Sequence, residues 1–260
     1  MEALVKKTDQ LSLEKTIAFA KQCYATRQTA TSEDLYAHCW AVASQAEKMA
    51  IKFYQDLREE YVPENLEETL AVITHCGLLH DVLNVSACAF ENIAEITNVQ
   101  VAAMVAAISR DYRLVETKRD MEFRGRLSQS AVSTQIVAVA DIICSAKAIS
   151  AAVDAQGLAV ATKAKKLLGQ LDGDLMAIHA ANKYYVLRLY VHAARNLLVT
   201  VSKNIKACRQ RAKIEKLVLQ NTQTLRESDA AAAKGTARKK PVRKKKEVRY
   251  ARKRTPKTNP

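Results

Sequence analysis

Between Met1 and Lys240 the chain carries a single proline, Pro63. Proline is the residue a helix interior tolerates least, so a stretch this free of it is best spent on long helices. Four of the six glycines lie between Gly125 and Gly173, which leaves most breaks to short polar loops. Apolar residues recur at three- and four-residue steps, as in Leu35, Tyr36, Trp40, Val42 and Ala43, and again in Leu70, Ile73, Leu78 and Leu79. No alternating strand pattern stands out, and the fold class is all-α. Helices are expected near 12–29, 33–56, 65–82, 88–95, 98–110, 118–129, 132–154, 158–170, 173–200 and 202–226. Ser32 and Asp34 suit the cap of the second, and the acidic run Glu64 to Glu68 suits the positive end of the third.

Charge divides the chain. The 260 residues hold 41 Lys+Arg against 27 Asp+Glu, a net charge of +14. Residues 228–260 contain 13 of the basic and 2 of the acidic residues, which leaves 28 against 25, or +3, for residues 1–227. A helical domain over 1–226 is therefore expected, followed by a disordered Lys/Arg-rich tail over 227–260 with no apolar periodicity to bury. Clusters such as Arg243, Lys244, Lys245 and Lys246 suit non-specific contact with phosphate backbones, or an address signal.

Met1 to Gln10 is charged and lacks the apolar core of a secretory signal, and Ile136 to Ala146 falls short of a bilayer span with Asp141 inside it. A cytoplasmic or nucleic-acid-associated protein with no membrane partner is expected. The six cysteines are widely spaced and never form C-x-x-C, which reads as reduced thiols in a helical interior. No P-loop, G-x-G-x-x-G or G-x-S-x-G is present, so ATPase, dinucleotide and serine-hydrolase readings have no support.

Three places put strong donors where an apolar helix would not choose them. Asp141 interrupts Ile136 to Ile143, His80 and Asp81 close the apolar run from Gly77, and His38 stands among Leu35, Tyr36, Cys39, Trp40 and Val42. A buried charge costs several kcal/mol unless it is paired or binds a metal. Two imidazoles and two carboxylates suit a divalent ion of the Mn, Fe or Zn type, whereas each residue taken alone also reads as a satisfied core or helix-end group. Packing is the default for His75, His179 and His192. Arg110, Arg113, Lys118, Arg119, Arg124 and Arg126 read as solvated faces, with contact to an anionic ligand as their other possible role.

From about Leu13 to Ile149 the sequence resembles the HD-domain metal-dependent phosphohydrolases, and within them the hydrolase domain of RelA/SpoT-type (p)ppGpp enzymes and their small stand-alone relatives. The resemblance rests on His38 followed by Val42-Ala43, on Gly77-Leu78-Leu79-His80-Asp81-Val82, on Phe90 to Ile93 with Val101 to Ser109, and on Arg126-Leu127 with Ile136 to Asp141. It implies an HD-type helical fold with extra helices C-terminal to it. It also implies a divalent metal, Mn by preference, on His38, His80, Asp81 and Asp141, and Arg27 as a nucleotide contact.

The departures bear on turnover. Asn84 and Val85 stand where the family has a Glu-Asp pair, and an amide cannot take up a proton at neutral pH. Ala138 replaces a lysine, Ser145 an asparagine, and Ser32 to Leu35 a Gly-x-Pro-Tyr turn. The expected function is a divergent phosphohydrolase acting on a nucleotide or alarmone-type phosphate ester. The alternatives are a weakened HD-fold protein that binds nucleotide or nucleic acid with the basic tail as its working element, and an alarmone sensor without turnover.

Overall fold

The computed structural model describes residues 12–25, 27–29 and 33–236. The expected tail from residue 237 onward, with its nucleic-acid role, lies outside the described residues. The chain divides into two compact units, Met1–Ala212 and Lys213–Pro260.

The described residues are all-α, with a lone bridge between Gln28 and Asp34 as their one β-type pairing. In chain order the helices are α1 (Leu13–Tyr24), α2 (Leu35–Gln55), α3 (Leu66–Leu79), α4 (Val82–Val85), α5 (Phe90–Ile96), α6 (Val99–Ile108), α7 (Glu116–Gln129), α8 (Val132–Gln156), α9 (Leu158–Ala181) and α10 (Tyr185–Thr236). Side-chain caps start several of them: Asp34 accepts from the Ala37 amide at 2.8 Å, Asn65 from Glu68 at 3.1 Å and Asn98 from Val101 at 2.8 Å. Glu67 and Glu68 fill the first turn of α3, where the helix dipole favours them.

In the first unit, α2 packs on both α3 and α8, α3 also touches α1, α6 and α8, and α9 lies against α7 and α8. The core at this junction is built from Tyr24, Met49, Phe53, Ile73, Leu78 and Ile136, all fully buried. The first part of α10 adds Leu187, Val191 and Leu198 to the same core. By length and composition α8 could cross a bilayer, a test the expected short apolar run did not anticipate, yet 61% of its apolar window is buried inside the protein. The apolarity of α8 serves the core. All six cysteines are free thiols, with Cys39 and Cys76 buried.

Two expected helix breaks are absent. A break was expected between 170 and 173, but α9 runs on through Gly169 and Gly173 to Ala181. Gly173 marks a close approach: a Cβ there would meet the Arg124 guanidinium, which crosses α9 at this point on its way to Asp174. The chain turns instead at Asn182, whose side chain accepts from the Tyr184 amide at 2.7 Å and donates to Gln135 Oε1 at 2.6 Å. The second absent break, near 200–202, lies inside α10, which continues to Thr236 and makes residues 227–236 helical. The boundary between the two units falls after Ala212, within α10. From Lys213 on, the apolar residues Ile214, Leu217, Val218, Leu219 and Leu225 are exposed rather than packed.

Candidate metal centre

Three helices bring the singled-out donors together. His38 sits one turn into α2, His80 and Asp81 occupy the joint between α3 and α4, and Asp141 lies in the middle of α8. The α2–α3 contact that makes this possible is set by Gly77. A Cβ at that position would stand 2.6 Å from the Ala43 Cα, so only glycine lets the two backbones close. Gly77→Ala is expected to cost about 1–3 kcal/mol through overpacking, read as a lower denaturation midpoint. An unchanged midpoint would contradict this packing.

One donor atom each from His38, His80 and Asp141 falls within 4.8 Å of the others, a spacing that could hold a metal ion. His38 Nε2 is 3.1 Å from Asp141 Oδ1, and His80 Nε2 is 3.8 Å from the same oxygen. Asp81, the fourth expected ligand, is not in this set, though its Oδ2 lies 3.8 Å from His80 Nε2. Both imidazoles are buried, and their rings meet edge to face at 5.5 Å. The Gly77 carbonyl, 2.9 Å from His80 Nδ1, accepts that N–H and leaves Nε2 free to face the cluster. Ser145 donates to Asp141 Oδ1 at 3.1 Å.

The electrostatics fit a cation. Burial opposes charge on His80, but the Cys39 sulfur and the Asp81 and Asp141 carboxylates outweigh it and push its pKa well above the ordinary value. Burial would raise Asp141, yet the His38 hydrogen bond and the nearby His80 and His38 hold it at about 2. A raised imidazole pKa favours the protonated ring, and a metal must displace that proton. Metal affinity should therefore rise as pH rises through that pKa, with proton release on binding, as titration calorimetry in two buffers of different ionisation enthalpy would detect. Affinity independent of pH would contradict it.

The cluster opens into a cavity of about 800 Å³ lined by α2, α7, α8 and α9. Three buried polar atoms without a hydrogen-bond partner belong to residues that line it: Glu33 Oε2, Asn84 Oδ1 and Arg119 Nε. Orphaned groups of this kind call for an ion, water or ligand. Two of them, the oxygens of Glu33 and Asn84, lie beside the donor cluster, with Glu33 Oε2 3.7 Å from His38 Nδ1 and Asn84 Nδ2 donating to Asp81 Oδ1 at 2.9 Å. Unsatisfied acceptors next to a His–His–Asp set are the chemistry a hydrated divalent cation would meet, so the residues fit such an ion.

Arg27, the expected nucleotide contact, is exposed beyond the end of α1 and is not among the residues lining the cavity, whereas its neighbours Gln28 and Thr29 are. Its backbone is tied into the turn, with its carbonyl accepting from the Leu35 amide at 3.1 Å. The arginines that do line the cavity are Arg110 and Arg119, from the basic stretch before and within α7. Asn84 stands in the wall as a partner of Asp81 and offers no proton acceptor. Glu33, inside the replaced turn before His38, gave no signal of its own in sequence because its place depends on Thr29 and Glu33 closing the loop, amide to carbonyl, at 2.8 Å. His75 is buried and bonded to Thr16 at 2.8 Å, and the His179 and His192 rings meet at 5.2 Å outside the cavity.

No protein-family model and no curated protein matches the sequence. Among solved structures, one described as a metazoan ortholog of SpoT that hydrolyzes ppGpp and plays a role in starvation responses aligns at 12% identity and a TM-score of 0.49. The alignment covers 78% of this chain and 97% of that one.

Proposed function

We propose that this protein is a divergent HD-type metal-dependent phosphohydrolase acting on a nucleotide or alarmone-type phosphate ester, with (p)ppGpp-like compounds among its candidate substrates. The observation that carries the reading is the meeting of His38, His80 and Asp141 donor atoms within 4.8 Å at the wall of a cavity large enough for a nucleotide. Mn²⁺ suits this mixture of imidazole nitrogen and carboxylate oxygen, with Asp81 as the fourth ligand. A divalent ion held there would polarise a phosphoryl oxygen and ease deprotonation of an attacking water.

The chain's own residues divide the remaining work. Ser145 and His38 hold the Asp141 carboxylate, Gly77 fixes the His80 ring, and Asn84 orients Asp81 by donating to it. Asn84 supports ligand geometry but takes up no proton, so turnover is slow relative to a site with a carboxylate there. General acid–base groups commonly supply about 10²–10⁴-fold in rate. The test is release of phosphate or pyrophosphate from a nucleotide panel that includes (p)ppGpp, with EDTA and then with Mn²⁺ restored. Metal-dependent release supports the reading. No release from any member by the Mn-loaded protein would overturn it and favour a binding protein.

A further inference from the structure

Trp40, the chain's only tryptophan, is 45% exposed on α2. An indole is large enough that a fold normally gains by burying it, and one left in water is the kind of side chain that binding surfaces use. It does not stand alone. The Tyr36 ring lies one turn earlier with its centroid 6.5 Å away, and Lys21 of α1 sits 5.4 Å over that Tyr36 ring. Tyr36, Trp40, Ser44 and Lys48 follow at four-residue steps, so they form one ridge along α2.

The packing of α2 on α8 makes this ridge one wall of a second groove, of about 510 Å³. Trp40, Ser44 and Lys48 line it from α2, and α8 faces them with Lys147, Ala148 and Ala151, whose two alanines take up little of the space. Lys48 and Lys147 are exposed and form no ion pair among the described residues; Lys147 bears on the Cys144 thiol, which burial keeps neutral. Glu33 is the one carboxylate in the lining, and its Oε2 lies 3.7 Å from His38 Nδ1. The groove therefore offers a flat aromatic face together with two cations.

We propose that this groove binds single-stranded nucleic acid, with an unpaired base stacked on Trp40 and backbone phosphates on Lys48 and Lys147. A duplex keeps its base faces covered and cannot stack in this way. One stacked base contributes roughly 5- to 150-fold in affinity, which holds a free nucleotide only weakly. A strand adds further phosphates, and the chain's net charge of +14 attracts them. An anionic membrane would meet the same lysines, but around Trp40 the groove is lined by Ala41, Ser44 and Gln45 rather than by further large apolar side chains to enter lipid. This site does not depend on hydrolysis at the metal centre.

Trp40 is its own reporter, because the emission of a lone indole comes from this groove and nowhere else in the chain. The full chain is titrated with a thymidine strand of about 16 nucleotides, with the same strand annealed to its complement, with thymidine monophosphate and with phosphatidylglycerol vesicles. The strand is expected to quench Trp40 saturably, at least about 10-fold more tightly than the duplex or the mononucleotide. Lys48→Met combined with Lys147→Met should weaken that binding about 10-fold or more and lower the slope of log affinity against log salt by about 1.4, about 0.7 for each of two phosphates. Lys203→Met, at an exposed position of α10, should match wild type. Strand binding that leaves Trp40 emission unchanged, as attachment through residues 228–260 alone would, overturns the proposal. So would an unchanged affinity in the double lysine variant, equal affinity for the mononucleotide or the duplex, or a response to the vesicles with none to the strand.

Discussion

Asp141→Ala is expected to lower affinity for Mn²⁺ by more than about 100-fold and to abolish metal-dependent hydrolysis. Loss of an outer partner of a metal ligand typically costs 10–100-fold in affinity, and Asp141 is a direct candidate ligand. Its Oδ1 is the point on which the site converges: His38 Nε2 lies 3.1 Å from it, His80 Nε2 3.8 Å, and Ser145 Oγ 3.1 Å. Removing the carboxylate leaves two buried imidazoles facing each other without the anion that reconciles them. Calorimetric titration with Mn²⁺, alongside circular dichroism to establish that the variant is folded, measures the effect. A folded Asp141→Ala protein that binds Mn²⁺ as tightly as wild type would mean that the donors assemble no metal site.

The largest effect on stability is expected from Asp174→Ala, about 3–5 kcal/mol by denaturant unfolding, as for other broken buried ion pairs. The Asp174 carboxylate is only 5% exposed and is bonded to Arg110 and, at 3.0 Å, to Arg124. Burial raises its pKa, and the two arginines offset that only in part. Without the carboxylate, Arg110 keeps Asp120, but Arg124 loses its only carboxylate partner among the described residues and remains pressed across Gly173. The α7–α9 wall of the cavity depends on this contact. A loss of less than about 1 kcal/mol would show that the network contributes little.

The parts of this protein that could be read from sequence are those in which one residue contradicts its local pattern. Asp141 among Val139, Ala140, Ile142 and Ile143, and the His80–Asp81 pair at the end of an apolar helix, stand out because burial of unpartnered charge is costly. The long helices were legible from the scarcity of proline, and the cap of α2 from Asp34. What escaped the sequence depends on contacts between distant segments. A break between 170 and 173 suggests itself because Gly169 and Gly173 flank it, yet Gly173 is there to admit Arg124 and Asp174 to hold it. Arg27 has a suggestive spacing from His38, but its exposed side chain is not among those that line the cavity. Arg110 and Arg119 read in sequence as ordinary solvated residues; only the packing of α7 against α8 and α9 brings them to the cavity.

Metal content tests the His38–His80–Asp141 centre most directly. Elemental analysis of the purified full chain, after incubation with Mn²⁺ and removal of free ion, should give about one equivalent of Mn per chain in wild type and none in His80→Ala, with both proteins folded by circular dichroism. One equivalent retained by folded His80→Ala, or none in wild type, would contradict a metal centre at His38, His80 and Asp141.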